Sequence, residues 1–199
     1  DPGPQGPTGT VDNAGLTTAP AFVNLQNQVK NSAVGTNLLT GTRDWQGEWV
    51  NSKFWSIDKD KYESLTVLYH DIAWFNVGKY YDAEPNTTYT FSFYGKASES
   101  STKMCIFVLD SDNWSSPVVS VPDYANQAIT TEWQRYSVTF TTNSGGKIFP
   151  SVSSMIDGLK IYIAGYKLEK GSVATPWCPN PAEILTQADY AKIQAAIVA

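Results

Sequence analysis

The chain has 199 residues, 42% of them hydrophobic and 13% aromatic, with only 17% charged and a formal net charge of −5. Such a chain can bury a core and is not disordered. Its acidic balance, with no run of Lys or Arg, excludes nucleic acid as the main partner, because phosphate contacts need clustered cations. No stretch approaches the roughly 18 apolar residues that a membrane span needs. No leader peptide is visible, and without an initiator Met the chain reads as part of something longer.

Residues 1–10, DPGPQGPTGT, set Gly3, Gly6 and Gly9 at the collagen spacing with proline beside them. About three triplets are too few to hold a triple helix alone, so this stretch is expected to be an extended, collagen-like stalk remnant. Residues 11–19 are small and polar, a hinge. Phe22, Leu25 and Val29 then follow the a, d, a spacing of a short helix that Pro20 can start and Gly35 can stop. Residues 11–35 therefore form a linker and short helix, a candidate oligomerisation neck.

From about Asn37 the period changes to strands. TYTFSFYGKAS places Tyr89, Phe91 and Phe93 on one face and Thr90, Ser92 and Tyr94 on the other. RYSVTFTT does the same with Tyr136, Val138 and Phe140 inward. MCIFVLD is apolar on both faces, as a central strand should be, and LTVLYHDIAWFNVGKYYD reads as two strands joined by a turn. KIFPSVSS and GLKIYIAGYKLEKG complete the set, and Gly145–Gly146 reads as a hairpin turn. Strand-sized runs punctuated by Asn, Asp, Gly and Pro, with no helical pattern between them, indicate an all-β fold. The expected form is an antiparallel β-sandwich (jelly roll) over residues 36–179. Residues 180–199 return to a helical period, with starts at Asn180-Pro181-Ala182-Glu183 and Thr186-Gln187-Ala188-Asp189 and a stripe of Tyr190, Ile193 and Ile197.

Catalytic patterns are sparse. His70 is the one histidine, lies in a predicted strand without a nucleophile elbow, and is read as structural. A single histidine excludes the His-rich metal sites, and no glycine-rich phosphate loop is present. The carboxylate pairs Asp58/Asp60, Asp82/Glu84 and Asp110/Asp112 lie in turn-rich contexts where acidic residues are ordinary. No enzyme is expected. Asp110, Asp112 and Glu169 are the candidate ligands for a structural calcium ion, against the alternative of solvated turns. Cys105 and Cys178 can be a pair or two buried small apolar residues.

The seven tryptophans and eleven tyrosines say more. Sugar C–H faces stack on indole and phenol rings while nearby polar groups bond the hydroxyls. RDWQGEW sets Trp45 and Trp49 among Arg43, Asp44, Gln46 and Glu48 in a loop, and Trp114 lies in the similar SDNWSS. Trp45, Trp49, Trp114, Arg43, Asp44, Tyr80 and Tyr81 are the candidate carbohydrate contacts. Trp55, Trp74, Tyr69, Tyr80 and Tyr81 lie in or near strands and suit core or groove alike.

GTNLLTGTRDW, NTTYTFSFYGKAS, TTEWQRYSVTFTT and IYIAGYKLEKGSVATPWCPNPAE occur in that order over about residues 36 to 181. This series resembles the β-sandwich carbohydrate-binding modules of tail and baseplate proteins from phages and prophages of Gram-positive bacteria. Those modules are similar in turn to galactose-binding-like and family four and nine modules. The resemblance implies that Leu38, Leu39, Trp133, Tyr166, Leu168 and Trp177 are structural, and that Cys178 departs from the commoner residue. It further implies adhesion to a bacterial cell-surface polysaccharide in a virion, extracellular, beside other tail proteins, without membrane insertion. A homotrimer on a collagen-like stalk would multiply weak binding through effective concentration. The competing reading is a purely structural fibre domain whose aromatics are covered by protein.

Overall fold

The computed structural model describes residues 3–4, 6, 15, 19–23, 35–108, 125–143, 146–184 and 187–198. The chain divides into two compact units, one of Asp1–Ser32 with Glu183–Ala199 and one of Ala33–Ala182. In the first unit residues 20–23 are helical, with Leu25 and Val29 outside the described residues, and a helix covers Gln187–Val198. Its apolar residues Ile193, Ile197 and Val198 are exposed. Asn180-Pro181-Ala182-Glu183 does not start that helix. It forms a 3₁₀ turn, Pro181–Glu183, in which the Asn180 Oδ1 accepts the Ala182 N–H at 2.8 Å.

The second unit holds the sandwich. Its strands are β1 (Ser56–Ile57), β2 (Leu68–His70), β3 (Val77–Gly78), β4 (Tyr81–Ala83), β5 (Thr88–Ala97) and β6 (Ser101–Phe107). They continue with β7 (Gln127–Ile129), β8 (Gln134–Thr141), β9 (Gly146–Ile148), β10 (Ser151–Ser154) and β11 (Ile161–Lys170). A five-stranded sheet has the order β1-β2-β11-β5-β8, a four-stranded sheet β3-β10-β6-β7, and β4 pairs with β9. All the named pairings are antiparallel. The expected hairpin at Gly145–Gly146 gives way to another pairing: Gly146 opens β9 and lies opposite Ala83 of β4.

The alternation read in β5 and β8 builds the core. Tyr89, Phe91 and Phe93 are fully buried with Phe140, Ile161, Ile163, Tyr166 and Leu168, and they meet Met104, Ile106, Val152, Val77 and Ile129 of the other sheet. Met104–Phe107 of that stretch lie in the interior strand β6, between β10 and β7. Its second face packs separately, Cys105 and Phe107 against Phe149 and Met155.

One glycine sets the phase of β11. Pairing with β5 shifts by one residue between Ala164 and Lys167, where Gly165 has φ 63°. A Cβ on Gly165 would lie 2.8 Å from Leu65 Cδ1, so only glycine fits this bulge. Before it Ile161 and Ile163 face the core; after it Tyr166 and Leu168 do, and Lys167 and Glu169 are turned to the opposite face. There they are almost completely buried beneath the chain that follows β11. Lys167 Nζ donates to Thr175 Oγ1 (2.6 Å) and to the Pro176 carbonyl (2.9 Å), while Glu169 accepts from the Thr175 N–H (3.1 Å) and hydroxyl (2.7 Å). Trp177 Nε1 donates to Thr42 Oγ1, and Asn37 Nδ2 donates to the Thr42 hydroxyl and to the Tyr166 and Cys178 carbonyls. Asn180 Nδ2 donates to the Asn37 carbonyl, so the sandwich's entry and exit are joined side by side. Cys105 and Cys178 are both free thiols. Burial pushes the Cys105 thiol up to about 11, against a smaller opposing effect of the Asn76 amide, so it stays protonated and inert at neutral pH.

Candidate functional site

The loop that carries Trp45 and Trp49 turns inward, which corrects the expectation that both face a ligand. It reverses at Gly41 (φ 72°), where a Cβ would collide with the Gln46 carbonyl, and the Gln46 N–H bonds back to Gly41. Trp49 is 6% exposed and belongs to the core. The Trp45 ring lies 4.7 Å from Trp49 and 4.8 Å from Tyr166, edge to face. Both indole N–H groups are used internally, Trp45 to the Thr66 carbonyl and Trp49 to the Gln46 carbonyl. Arg43 lies 4.8 Å over Trp177, and Asp44 accepts from the Thr66 hydroxyl with Lys61 at 3.7 Å. The polar residues that made this stretch read as an open loop hold it in place. The gain from burying Trp49 and partly burying Trp45 outweighs any preference the sequence gives for exposure.

The remaining candidates are scattered. Tyr80 is 40% exposed beside Phe149, with Lys147 over its ring, and Tyr81 packs partly buried against Tyr89. The carboxylate of Glu169 is committed to Thr175 and Lys167, not to solvent. Trp114, Asp110 and Asp112 lie outside the described residues. Among the described residues no group of three or more His, Cys, Asp and Glu side chains could hold a metal ion.

Trp74, which the sequence left open between core and groove, is exposed together with Phe75, which the sequence did not single out. In the register that pairs Val77 with Val152 and Gly78 with Ser151, Phe75 would stand opposite Ser154. Ala73 instead makes an isolated parallel bridge to Ser154, so the antiparallel pairing of β3 stops and the chain at residues 74–76 loops out of the ladder. Trp74 and Phe75 have φ 66° and 55°, a left-handed backbone that bulky side chains rarely adopt. Each such residue costs on the order of 1–3 kcal/mol and persists only where its surroundings dictate it. Trp74 is 50% exposed and Phe75 43%.

The surroundings do dictate it. The Trp74 N–H bonds the Ser154 carbonyl at 2.8 Å, and the Ala73 N–H bonds Asp157 Oδ1 at 2.8 Å. Trp55 Nε1 donates to the Phe75 carbonyl at 3.0 Å, and Asn51 Nδ2 to the Asn76 carbonyl at 2.9 Å. The Trp74 carbonyl accepts from the Ser153 hydroxyl. A carbonyl can only accept, so Ser153 Oγ spends its proton there and must in turn accept from His70 Nε2, 3.0 Å away. That fixes His70 as the Nε2–H tautomer. The imidazole stacks on Trp55 at 3.6 Å, and burial lowers its pKa to about 4 despite the opposing charge of Asp71. His70, read as structural, is thus the support behind an exposed aromatic pair. AWFN did carry a signal: adjacent aromatics in an extended chain point to opposite faces, so one of them is left without a core.

No family model matches the chain, and no curated protein does. Among solved structures it is similar to a tandem CBM22 domain from Paenibacillus barcinonensis, with 15% identity and a TM-score of 0.49 over 75% of this chain and 49% of that one. It is similar also to a CBM4 module, with 14% identity and a TM-score of 0.44 over 62% and 87%. A third is the tripod from the baseplate of bacteriophage Tuc2009, with 19% identity and a TM-score of 0.35 over 51% and 41%.

Proposed function

We propose that this chain is a non-catalytic carbohydrate-binding module that adheres to a bacterial cell-surface saccharide, with Trp74 and Phe75 as its contact platform. The observation that carries this reading is the pair itself: two half-exposed aromatic rings on a strained backbone held by hydrogen bonds from five neighbouring side chains and strands. Strain of this kind, maintained around exposed rings, supports a functional reading of the pair. The rings offer stacking faces to sugar C–H groups, and the second carboxylate oxygen of exposed Asp157 is placed to accept from a hydroxyl. Tyr80, an early candidate, follows the same edge strand and suits this role.

A place in a phage tail or baseplate, in an extracellular virion, follows from the motif resemblance and the stalk-like triplets. Three copies joined through the stalk would convert a weak single site into useful avidity.

The test is affinity electrophoresis through neutral bacterial polysaccharides, together with host-cell binding by a fluorescent fusion. Trp74→Ala and Phe75→Ala are each expected to weaken binding about tenfold, the worth of one lost stacking contact. Trp49→Ala should instead destabilise the fold by about 3–5 kcal/mol, as loss of a core aromatic does. Unchanged binding in both bulge variants would sink the site, and absence of any saccharide or cell binding would sink the function.

A further inference from the structure

The opposite sheet carries an aromatic and cationic surface of its own. Tyr69 of β2 pairs with Tyr162 of β11, and Tyr162 pairs with Lys96 of β5. Extending the β5–β8 register by one residue beyond Gly95 and Gln134 brings Trp133 opposite Lys96. Directly opposed residues share a face, so Tyr69, Tyr162, Lys96 and Trp133 form one transverse row across the outer face of the five-stranded sheet. At the usual strand spacing it runs about 14 Å. All four are partly exposed, as is Lys160, which shares the face of Tyr162 two residues away.

The two ammonium groups are held by rings. Lys96 Nζ lies 5.4 Å from the Trp133 ring centre and 5.1 Å from that of Tyr162, and Lys160 Nζ lies 5.2 Å from Tyr69. Among the described residues neither has a carboxylate within ion-pair distance, which holds also for Lys53 and Lys147, each set over one ring. In a chain of net charge −5, Lys96 between two rings and Lys160 over a third bring two cations together on a single aromatic face. Cross-strand ring packing accounts for Tyr69 beside Tyr162 at 5.6 Å, and Tyr62, from the turn before β2, stacks on Trp133 at 4.4 Å. The backbone beneath is rigid: Lys160 and Ser98 exchange backbone and side-chain hydrogen bonds at 2.9 and 3.2 Å.

We propose that this row is a second saccharide site, selective for an anionic polysaccharide that bears carboxylate or phosphodiester groups. The exposed parts of Tyr69 and Tyr162 stack on sugar rings, Lys96 and Lys160 pair with the anionic groups to either side, and Trp133 acts as a buttress for Lys96. The site is separate from the aromatic bulge, and each stands or falls alone, because neutral polysaccharides test the bulge and polyanions test this face.

The experiment measures binding of the full chain to polygalacturonate, to phosphomannan and to neutral dextran by affinity electrophoresis. At least one polyanion should bind about tenfold or more tighter than dextran, with affinity falling as salt rises. Preference between the polyanions identifies carboxylate or phosphate as the recognised group. Lys96→Met, which keeps the aliphatic stem between the rings, and Tyr162→Ala should each weaken polyanion binding about fivefold or more, and Lys96→Arg should retain it. Equal binding to dextran, no binding to either polyanion, or unchanged binding in Lys96→Met and Tyr162→Ala overturns the proposal.

Discussion

His70 shows how one side chain is tied to a site it does not itself present. Its Nε2–H holds the Ser153 hydroxyl, which holds the Trp74 carbonyl, while its ring stacks under Trp55, whose N–H holds Phe75. Burial keeps the imidazole neutral, with its pKa lowered to about 4, whereas the unfolded chain takes up a proton near 6.5. Between those values the unfolded state binds more protons, so stability is complete above about pH 6.5 and falls as the pH drops toward 4. Urea titrations should show this residue removing about 3 kcal/mol over that window, and His70→Gln should flatten that part of the profile. An unaltered pH profile in the variant would refute the assignment. The sequence already marked His70 as structural, because nothing around it had the spacing of catalysis. What it supports depends on Ser153, which is distant in sequence and becomes its neighbour only through the fold.

At the scale of elements, β11 and the chain after it act as a latch. The motif YKLEKGSVATPW was legible as a distinctive string, but its logic comes from the bulge at Gly165, which turns Lys167 and Glu169 away from the core and under residues 171–177. A buried charge without its partner is costly, so Lys167→Met alone should destabilise the sandwich by about 3 kcal/mol. Lys167→Met combined with Glu169→Leu should cost clearly less than the sum of the single changes, since no orphaned charge remains. A double-mutant cycle in urea measures this, and strict additivity would show that the pair is not coupled. The strands β5 and β8 are the contrasting case. Their period-two alternation places Tyr89, Phe91, Phe93 and Phe140 without help from any distant residue.

For the whole molecule, the Ala33–Ala182 unit has its own core and a closed junction, in which Asn37 bonds Cys178 and Asn180 bonds Asn37. Removing residues 1–32 and 183–199 should therefore leave its urea midpoint essentially unchanged, and a marked drop would mean that the flanks supply part of its stability. The sequence by itself determined the all-β class, the identity of the longest strands, the interior position of β6 and the absence of a catalytic pattern. These rest on periodicity and on residues that are simply missing, both of which are local properties. Only the tertiary structure decided which aromatics face out. Trp45 and Trp49 sit among polar neighbours yet pack beside Tyr166, and Trp74 and Phe75 sit in an apolar run yet are exposed where the antiparallel pairing of β3 gives way to a parallel bridge at Ala73. Exposure of a ring is set by what the rest of the chain leaves uncovered, and that is a property of strand register, which no short stretch of sequence contains.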